Sequence, residues 1–206
     1  MCIAVVVGAV LLAGAMCACA QEAAGAPEKS TLDNLMAAYN GEMNANARYL
    51  AFAVKADEEG YGAAASLLRA AARAEQVHFE RHAKVITDMG GKAEANIETP
   101  EVKSTLENLQ AAMNGEIYES TDMYPKFVAK AEKDKLPEAV DAFEDAMKAE
   151  AVHANWYKTA INELASWKIA KKDFYVCPKC GNVVDVLEGP SCPICMTDTK
   201  KFMPVS

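Results

Sequence analysis

Two stretches of the chain read Glu-x-x-His: Glu75 to His78, and Glu150 to His153. Each follows, one helix later, an Asn-Gly-Glu: Asn40-Gly41-Glu42 and Asn114-Gly115-Glu116, with Glu119 one turn beyond the second. Three-residue spacing on a helix stacks a carboxylate and an imidazole on one face, and here that face is apolar. Glu42 shares it with Leu35, Met36 and Tyr39; Glu75 continues Leu68 and Ala71; Glu116 follows Met113; Glu150 follows Met147. An ionised carboxylate in a dry core carries a penalty of several kcal/mol unless it is paired. No lysine or arginine recurs at these heights, so metal cations are the economical counter-charge. A Glu from each of two helices, with Glu-x-x-His from each of two others, is the donor set of di-iron and di-manganese carboxylate bundles. Hard oxygen donors with a few imidazoles suit iron or manganese more than copper. A lone Glu-x-x-His usually lies on a solvated face; two copies with matched partners argue for a metal.

A second constellation lies near the C-terminus. Cys177-Pro178-Lys179-Cys180-Gly181 and Cys192-Pro193-Ile194-Cys195 are two C-x-x-C knuckles whose four thiolates can close a tetrahedral cage for iron or zinc. Tyr175 and Phe202 flank it as aromatic cover. A zinc ribbon, an iron centre and a redox dithiol or disulfide of Cys177 with Cys180 remain alternatives for these residues alone. A redox-active metal site on the same chain gives a one-electron relay an obvious use.

The elements that must hold these residues are duplicated. Thr31-Leu32-Asp33-Asn34-Leu35 returns as Thr105-Leu106-Glu107-Asn108-Leu109, and Asn40-Gly41-Glu42 as Asn114-Gly115-Glu116, at an offset of 74. Ala74-Glu75 and Val77-His78 return as Ala149-Glu150 and Val152-His153 at an offset of 75, so one residue is inserted in the second copy. Each copy reads as two helices with apolar residues at three-four spacing, breaking at Gly60 and Gly62 and at Gly90-Gly91. Pro137 suits the first turn of the last helix, and Pro125 should kink the third. Gly41 and Gly115 sit inside helices at a cost of roughly 1 kcal/mol each, which suggests close backbone approach near the site. His82 has no matching histidine in the other copy and reads as a residue that packs or meets solvent. The expected fold is all-α, a four-helix bundle over residues 31–168 followed by a small metal-binding tail over 171–206, joined near Lys171-Lys172.

The composition agrees: 206 residues, 51% hydrophobic and 24% charged, describe one good core with a small annex rather than a disordered or polytopic chain. A net charge of -8 argues against a nucleic-acid partner. Residues 1–20 carry no charged side chain and end in Ala18-Cys19-Ala20, which fits a cleaved secretory signal followed by a tether over 21–30. Thirteen apolar residues span about 20 Å as a helix, short of the roughly 30 Å hydrocarbon core. The expected location is outside the cytoplasm, in the periplasm, with lipidation at Cys19 as an alternative and a cytoplasmic protein if the start is misassigned.

Together, the duplicated Glu/Glu-x-x-His bundle and the two-knuckle tail resemble the rubrerythrin family over about residues 30 to 206. The resemblance implies a ferritin-like bundle with a rubredoxin-like domain. It implies a di-iron site held by Glu42, Glu75, Glu116, Glu119, Glu150 and His153. His78 would take over one iron from Glu119 on reduction, and Tyr49 and Tyr124 would hydrogen-bond around the site. Cys177, Cys180, Cys192 and Cys195 would hold a single iron. Exchanging a carboxylate for a neutral imidazole as the irons lose charge keeps the buried cluster near neutrality. The implied activity is reduction of hydrogen peroxide to water with electrons from a donor protein. The implied assembly is a homodimer or higher homo-oligomer in which the tail of one subunit reaches the bundle of another. Met196 departs from the family pattern, standing where a glycine often follows the second knuckle. Ferroxidase or iron handling is the alternative activity, and a scaffold with a zinc-ribbon tail the non-enzymatic one.

Overall fold

The computed structural model describes residues 29–168 and 170–206. The leader read from residues 1–20, and nearly all of the tether, lie outside the described residues. Helices α1 (Thr31–Glu58) and α2 (Gly62–Asp88) form the first pair. The second pair is α3 (Thr105–Tyr118) continuing through a π turn (Glu119–Met123) into α4 (Tyr124–Lys133), then α5 (Pro137–Asn162). Because α3, the π turn and α4 run on as one rod, four rods make the bundle. Both copies start alike: Ser30 and Ser104 cap their helices, each accepting from the backbone three residues on while Asp33 or Glu107 reaches back.

Alanine dominates where the rods meet. Ala63, Ala64, Ala65, Ala70, Ala71, Ala72 and Ala74 of α2 are all buried, and small side chains let helices pack closely along their length. Leu35, Leu67, Leu68, Ile86, Leu109 and Phe143 fill the remaining volume. The crossover between the pairs is tied down by α1: Asn40 accepts from the Asn96 backbone at 2.8 Å, and Asn44 accepts from Glu98 at 2.8 Å. Among the described residues no helix is long and apolar enough to cross a membrane.

Pro125 produces no simple kink. The Tyr124 N–H bonds to the Glu119 carbonyl, five residues back, and the wider π turn takes up the irregularity. This is also where the inserted residue sits. Seven residues separate Glu42 from Tyr49, and eight separate Glu116 from Tyr124. The π turn absorbs the extra one and starts at Glu119, whose counterpart in the first copy is Ala45.

The expected close approach at the helical glycines is not found. A Cβ on Gly41 would meet nothing within 4 Å, and one on Gly115 would only touch the Tyr49 hydroxyl at 4.0 Å. Glycine is therefore not demanded by packing at Gly41. Gly41→Ala should stabilise the metal-free chain by about 0.5–1 kcal/mol through reduced backbone entropy in the unfolded state. A denaturant midpoint that fell instead would show that the open space is needed.

The tail is a three-stranded antiparallel sheet in the order β2-β1-β3, built from β1 (Phe174–Val176), β2 (Val183–Val184) and β3 (Met203–Val205). It shares its core with the bundle. Phe174, Val176 and Val183 are buried in one apolar cluster with Trp156, Leu164 and Trp167. The Trp156 indole donates to the Val183 carbonyl at 2.9 Å, and Lys172 pairs with Asp185 at 2.8 Å. Where the resemblance implies a tail that reaches a second subunit, the tail here closes on the bundle of its own chain.

Candidate metal centres

All seven residues expected in the bundle site are buried. They converge from every rod: Glu42 from α1, Glu75 and His78 from α2, Glu116 from α3, Glu119 from the first position of the π turn, Glu150 and His153 from α5. Six of them form two overlapping groups, Glu42, Glu75, His78 and Glu150 in one, and Glu75, Glu116, Glu150 and His153 in the other. Within each group the potential ligand atoms lie within 4.8 Å of one another. Glu75 and Glu150 belong to both, as bridging carboxylates would. Glu119, 8% exposed, belongs to neither, and His78 stands in the first group in its stead.

The imidazoles are poised between the carboxylates. His78 Nδ1 is 2.8 Å from Glu150 Oε1 and 3.1 Å from Glu75 Oε2; His153 Nδ1 is 2.8 Å from Glu150 Oε2. Close approach does not mean satisfied bonding. Glu42 Oε2, Glu75 Oε1, Glu116 Oε2, both Glu150 oxygens and His153 Nδ1 have no aligned hydrogen-bond partner among the described residues. Buried polar atoms are nearly always paired, so a knot of orphans of one chemical type, all electron-pair donors, fits a pair of cations. The electrostatics agree. Burial, and then mutual repulsion, pushes the carboxyls of Glu42, Glu75, Glu119 and Glu150 well above the usual carboxylate range. Burial acts the same way on Glu116, but bonds led by His153 outweigh it and hold that carboxyl low.

Tyr49 and Tyr124 complete the surroundings. The Tyr49 hydroxyl donates to Glu116 Oε1 at 2.9 Å, and Tyr124 donates to Glu42 Oε1. Burial, followed by the nearby carboxylates, pushes both phenols up, so both keep their protons. His82 is fully buried rather than solvent-facing, with Nε2 3.0 Å from the Tyr124 oxygen. Its counterpart at the offset of 75 is Tyr157. Matching identical residue types between the copies hides this equivalence; the offset alone reveals it.

The four tail cysteines are free thiols that face one another. Cys177 Sγ lies 3.5 Å from Cys195 Sγ, and Cys180 Sγ 3.6 Å from Cys192 Sγ. That is near the roughly 3.8 Å edge of a tetrahedron with metal–sulfur bonds of about 2.3 Å. Each knuckle turns through a left-handed residue, Gly181 at φ 73° and Met196 at φ 62°. Tyr175 and Phe202 pack against the sulfurs as expected. The first knuckle also touches the bundle site. His78 Nε2 is 3.0 Å from the Cys180 carbonyl, and His153 Nε2 is 3.0 Å from the Gly181 carbonyl. Both imidazoles thus donate outward to the tail while their Nδ1 atoms face the carboxylates.

Comparison with known proteins agrees with this layout. The family model for rubrerythrin matches residues 33–161. Nigerythrin of Nitratidesulfovibrio vulgaris is 39% identical over 174 residues, covering 84% of this chain and 85% of that protein. A putative rubrerythrin of Methanocaldococcus jannaschii is 36% identical over 189 residues, covering 84% and 92%. A solved structure of fully reduced, all-ferrous nigerythrin superposes with a TM-score of 0.79 at 37% identity, covering 92% of this chain and 91% of that one. Mycobacterium tuberculosis bacterioferritin, at 17% identity and a TM-score of 0.61, shares the bundle fold. With its ferritin-like bundle, an acidic–histidine cluster that fits a di-iron site and a cysteine cluster that fits a rubredoxin-like iron, the chain belongs to the rubrerythrin family.

Proposed function

We propose that this oxidoreductase is a peroxidase, reducing hydrogen peroxide to two waters with two protons and two electrons, the electrons arriving through the cysteine centre. The observation that carries the reading is the pair of hydrogen bonds from His78 and His153 to the Cys180 and Gly181 carbonyls. A storage protein has little need for a cysteine metal site joined to its bundle site in this way. Two ferrous ions in the bundle would supply the electrons that the O–O bond accepts.

The chain's own residues set the conditions for that chemistry. Glu42, Glu75, Glu116, Glu150 and the two imidazoles would hold the ions, Glu75 and Glu150 belonging to both ligand groups. Glu119 and His78 would serve as alternative donors at one position, one charged and one neutral. Tyr49 and Tyr124 each fix one oxygen, of Glu116 and Glu42, and leave the other available to a cation. The alanine-lined walls keep bulk water out and so preserve the strength of every charge interaction inside. The donor to the cysteine centre is a separate protein, and on the family's pattern the chain works as a homo-oligomer.

The test uses the iron-loaded full chain, reduced without oxygen so that the visible absorption of the cysteine centre is bleached. Adding hydrogen peroxide should restore the colour with one peroxide consumed per two electrons. Glu119→Ala should slow that return while leaving both bundle ions in place. A centre that stays bleached while peroxide persists contradicts the reading. Continued uptake and oxidation of added ferrous iron, beyond two ions per bundle, would point to ferroxidase activity instead.

A further inference from the structure

The duplication places equivalent residues on the two sides of the bundle site, and the layer behind the carboxylates breaks that equivalence. Glu42 corresponds to Glu116, Tyr49 to Tyr124, and His82 to Tyr157. The tyrosines cross over: Tyr49 donates to Glu116 and Tyr124 to Glu42. Behind Tyr124 stands His82, its Nε2 3.0 Å from the phenol oxygen and its ring packed on Phe143 at 5.5 Å. Behind Tyr49 stands Tyr157, edge-on at 5.7 Å, with a buried hydroxyl that has no partner among the described residues.

With Glu42 ionised, the proton count on the His82 side has one solution. Tyr124 has a single hydroxyl proton, and it points to Glu42. The phenol oxygen must therefore accept from His82, which places the imidazole proton on Nε2. Nδ1 is then a bare nitrogen, in keeping with its lack of any partner in an apolar pocket. Burial, with His78 and Arg81 adding to it, holds the ring's pKa down to about 3, so it stays neutral.

We propose that His82 is a positioning residue that locks the Tyr124 phenol with its proton on Glu42, so that the metal position on the Glu42 side differs from the one on the Glu116 side. The proposal rests on the di-iron reading above. A donor chain from His82 through Tyr124 to Glu42 polarises each bond in turn, and it keeps Glu42 oriented with its unpartnered oxygen toward the ion. Glu116 receives one bond from a tyrosine that nothing behind it locks. The side so distinguished is the one that groups with His78.

Two measurements decide it. In the metal-free protein, at a pH where carbon-13 shifts show Glu42 ionised, nitrogen-15 NMR of the imidazoles should show His82 as the neutral Nε2–H tautomer; an Nδ1–H tautomer there overturns the proposal. Calorimetric titration with ferrous iron, without oxygen and with the cysteine centre filled, then reads the two bundle ions separately. His82→Phe should weaken one of them roughly 2- to 10-fold, the scale of one buried hydrogen bond, and leave the other within about 2-fold. His82→Gln, whose amide can donate to Tyr124, should recover most of the loss. Tyr157→Phe should move neither ion. Equal weakening of both ions by His82→Phe, no weakening, or the same effect from Tyr157→Phe overturns the inference. Wild-type protein that takes up no ferrous iron in the bundle refutes the di-iron reading instead, while the tautomer still tells whether the His82–Tyr124 lock exists.

Discussion

Glu150→Leu is expected to abolish uptake of both bundle ions and, at the same time, to make the metal-free chain harder to unfold. Glu150 is in both ligand groups; its two oxygens lie 2.8 Å from His78 Nδ1 and 2.8 Å from His153 Nδ1. Removing it strips a donor from each ion at once, whereas Glu42→Leu should affect one. The stability gain follows from the same burial. Both Glu150 oxygens are buried without an aligned partner among the described residues, and an apolar side chain of similar volume removes that penalty of about 1–3 kcal/mol. The pH dependence has a fixed sign. Burial raises the folded carboxyl of Glu150 above the ordinary 4.5, so the folded state holds a proton that the unfolded chain gives up. Its favourable contribution is complete below pH 4.5 and declines as pH rises. Metal-free wild type should therefore weaken on going from pH 4.5 to neutral, and Glu150→Leu should weaken less. Metal analysis showing two tightly held bundle ions in the variant would refute the bridging role.

Gly181→Ala carries the other large effect. A Cβ there would lie 2.3 Å from His78 Nε2, on a backbone at φ +73°. The left-handed conformation costs about 1–2 kcal/mol for a residue with a Cβ, and forced overpacking adds about 1–3. Together about 2–5 kcal/mol opposes the docked tail. The expected outcome is a coloured cysteine centre that peroxide no longer reoxidises at the wild-type rate, with new protease cleavage around residues 163–173. Met196→Gly serves as the control. Met196 has the same handedness at φ 62° but is 72% exposed, so glycine there relieves strain and leaves docking intact. A Gly181→Ala variant with normal electron delivery and a protected tail would show that this contact does not couple the two centres.

Much of this was legible from residue order. The three-four spacing located the helices, and the carboxylates on apolar faces could be read as buried because no other face was available to them. The cysteine knuckles needed only their spacing. What escaped lay in relations between distant segments. A glycine inside a helix announces a cost without naming its reason, and at Gly41 and Gly115 the expected crowding is absent. The change of offset from 74 to 75 marked an insertion but not its shape. His82 has no histidine counterpart in the other copy, and no local pattern connects position 82 with Tyr124. The docking of the tail onto His78 and His153 depends on Phe174, Val176 and Val183 finding the bundle core, which spacing within the tail does not encode.

The π turn at Glu119–Met123 acts as a phase shifter in a screw. An α-helix advances about 100° and 1.5 Å with each residue, so shortening this stretch by one would rotate everything after it by more than a quarter of a revolution. Tyr124 would swing off Glu42, and the connection into α5 would leave its seat. The second copy thus holds its place opposite the first only because one surplus residue is wound into the thread, and the place where it is wound in is where the additional carboxylate, Glu119, projects.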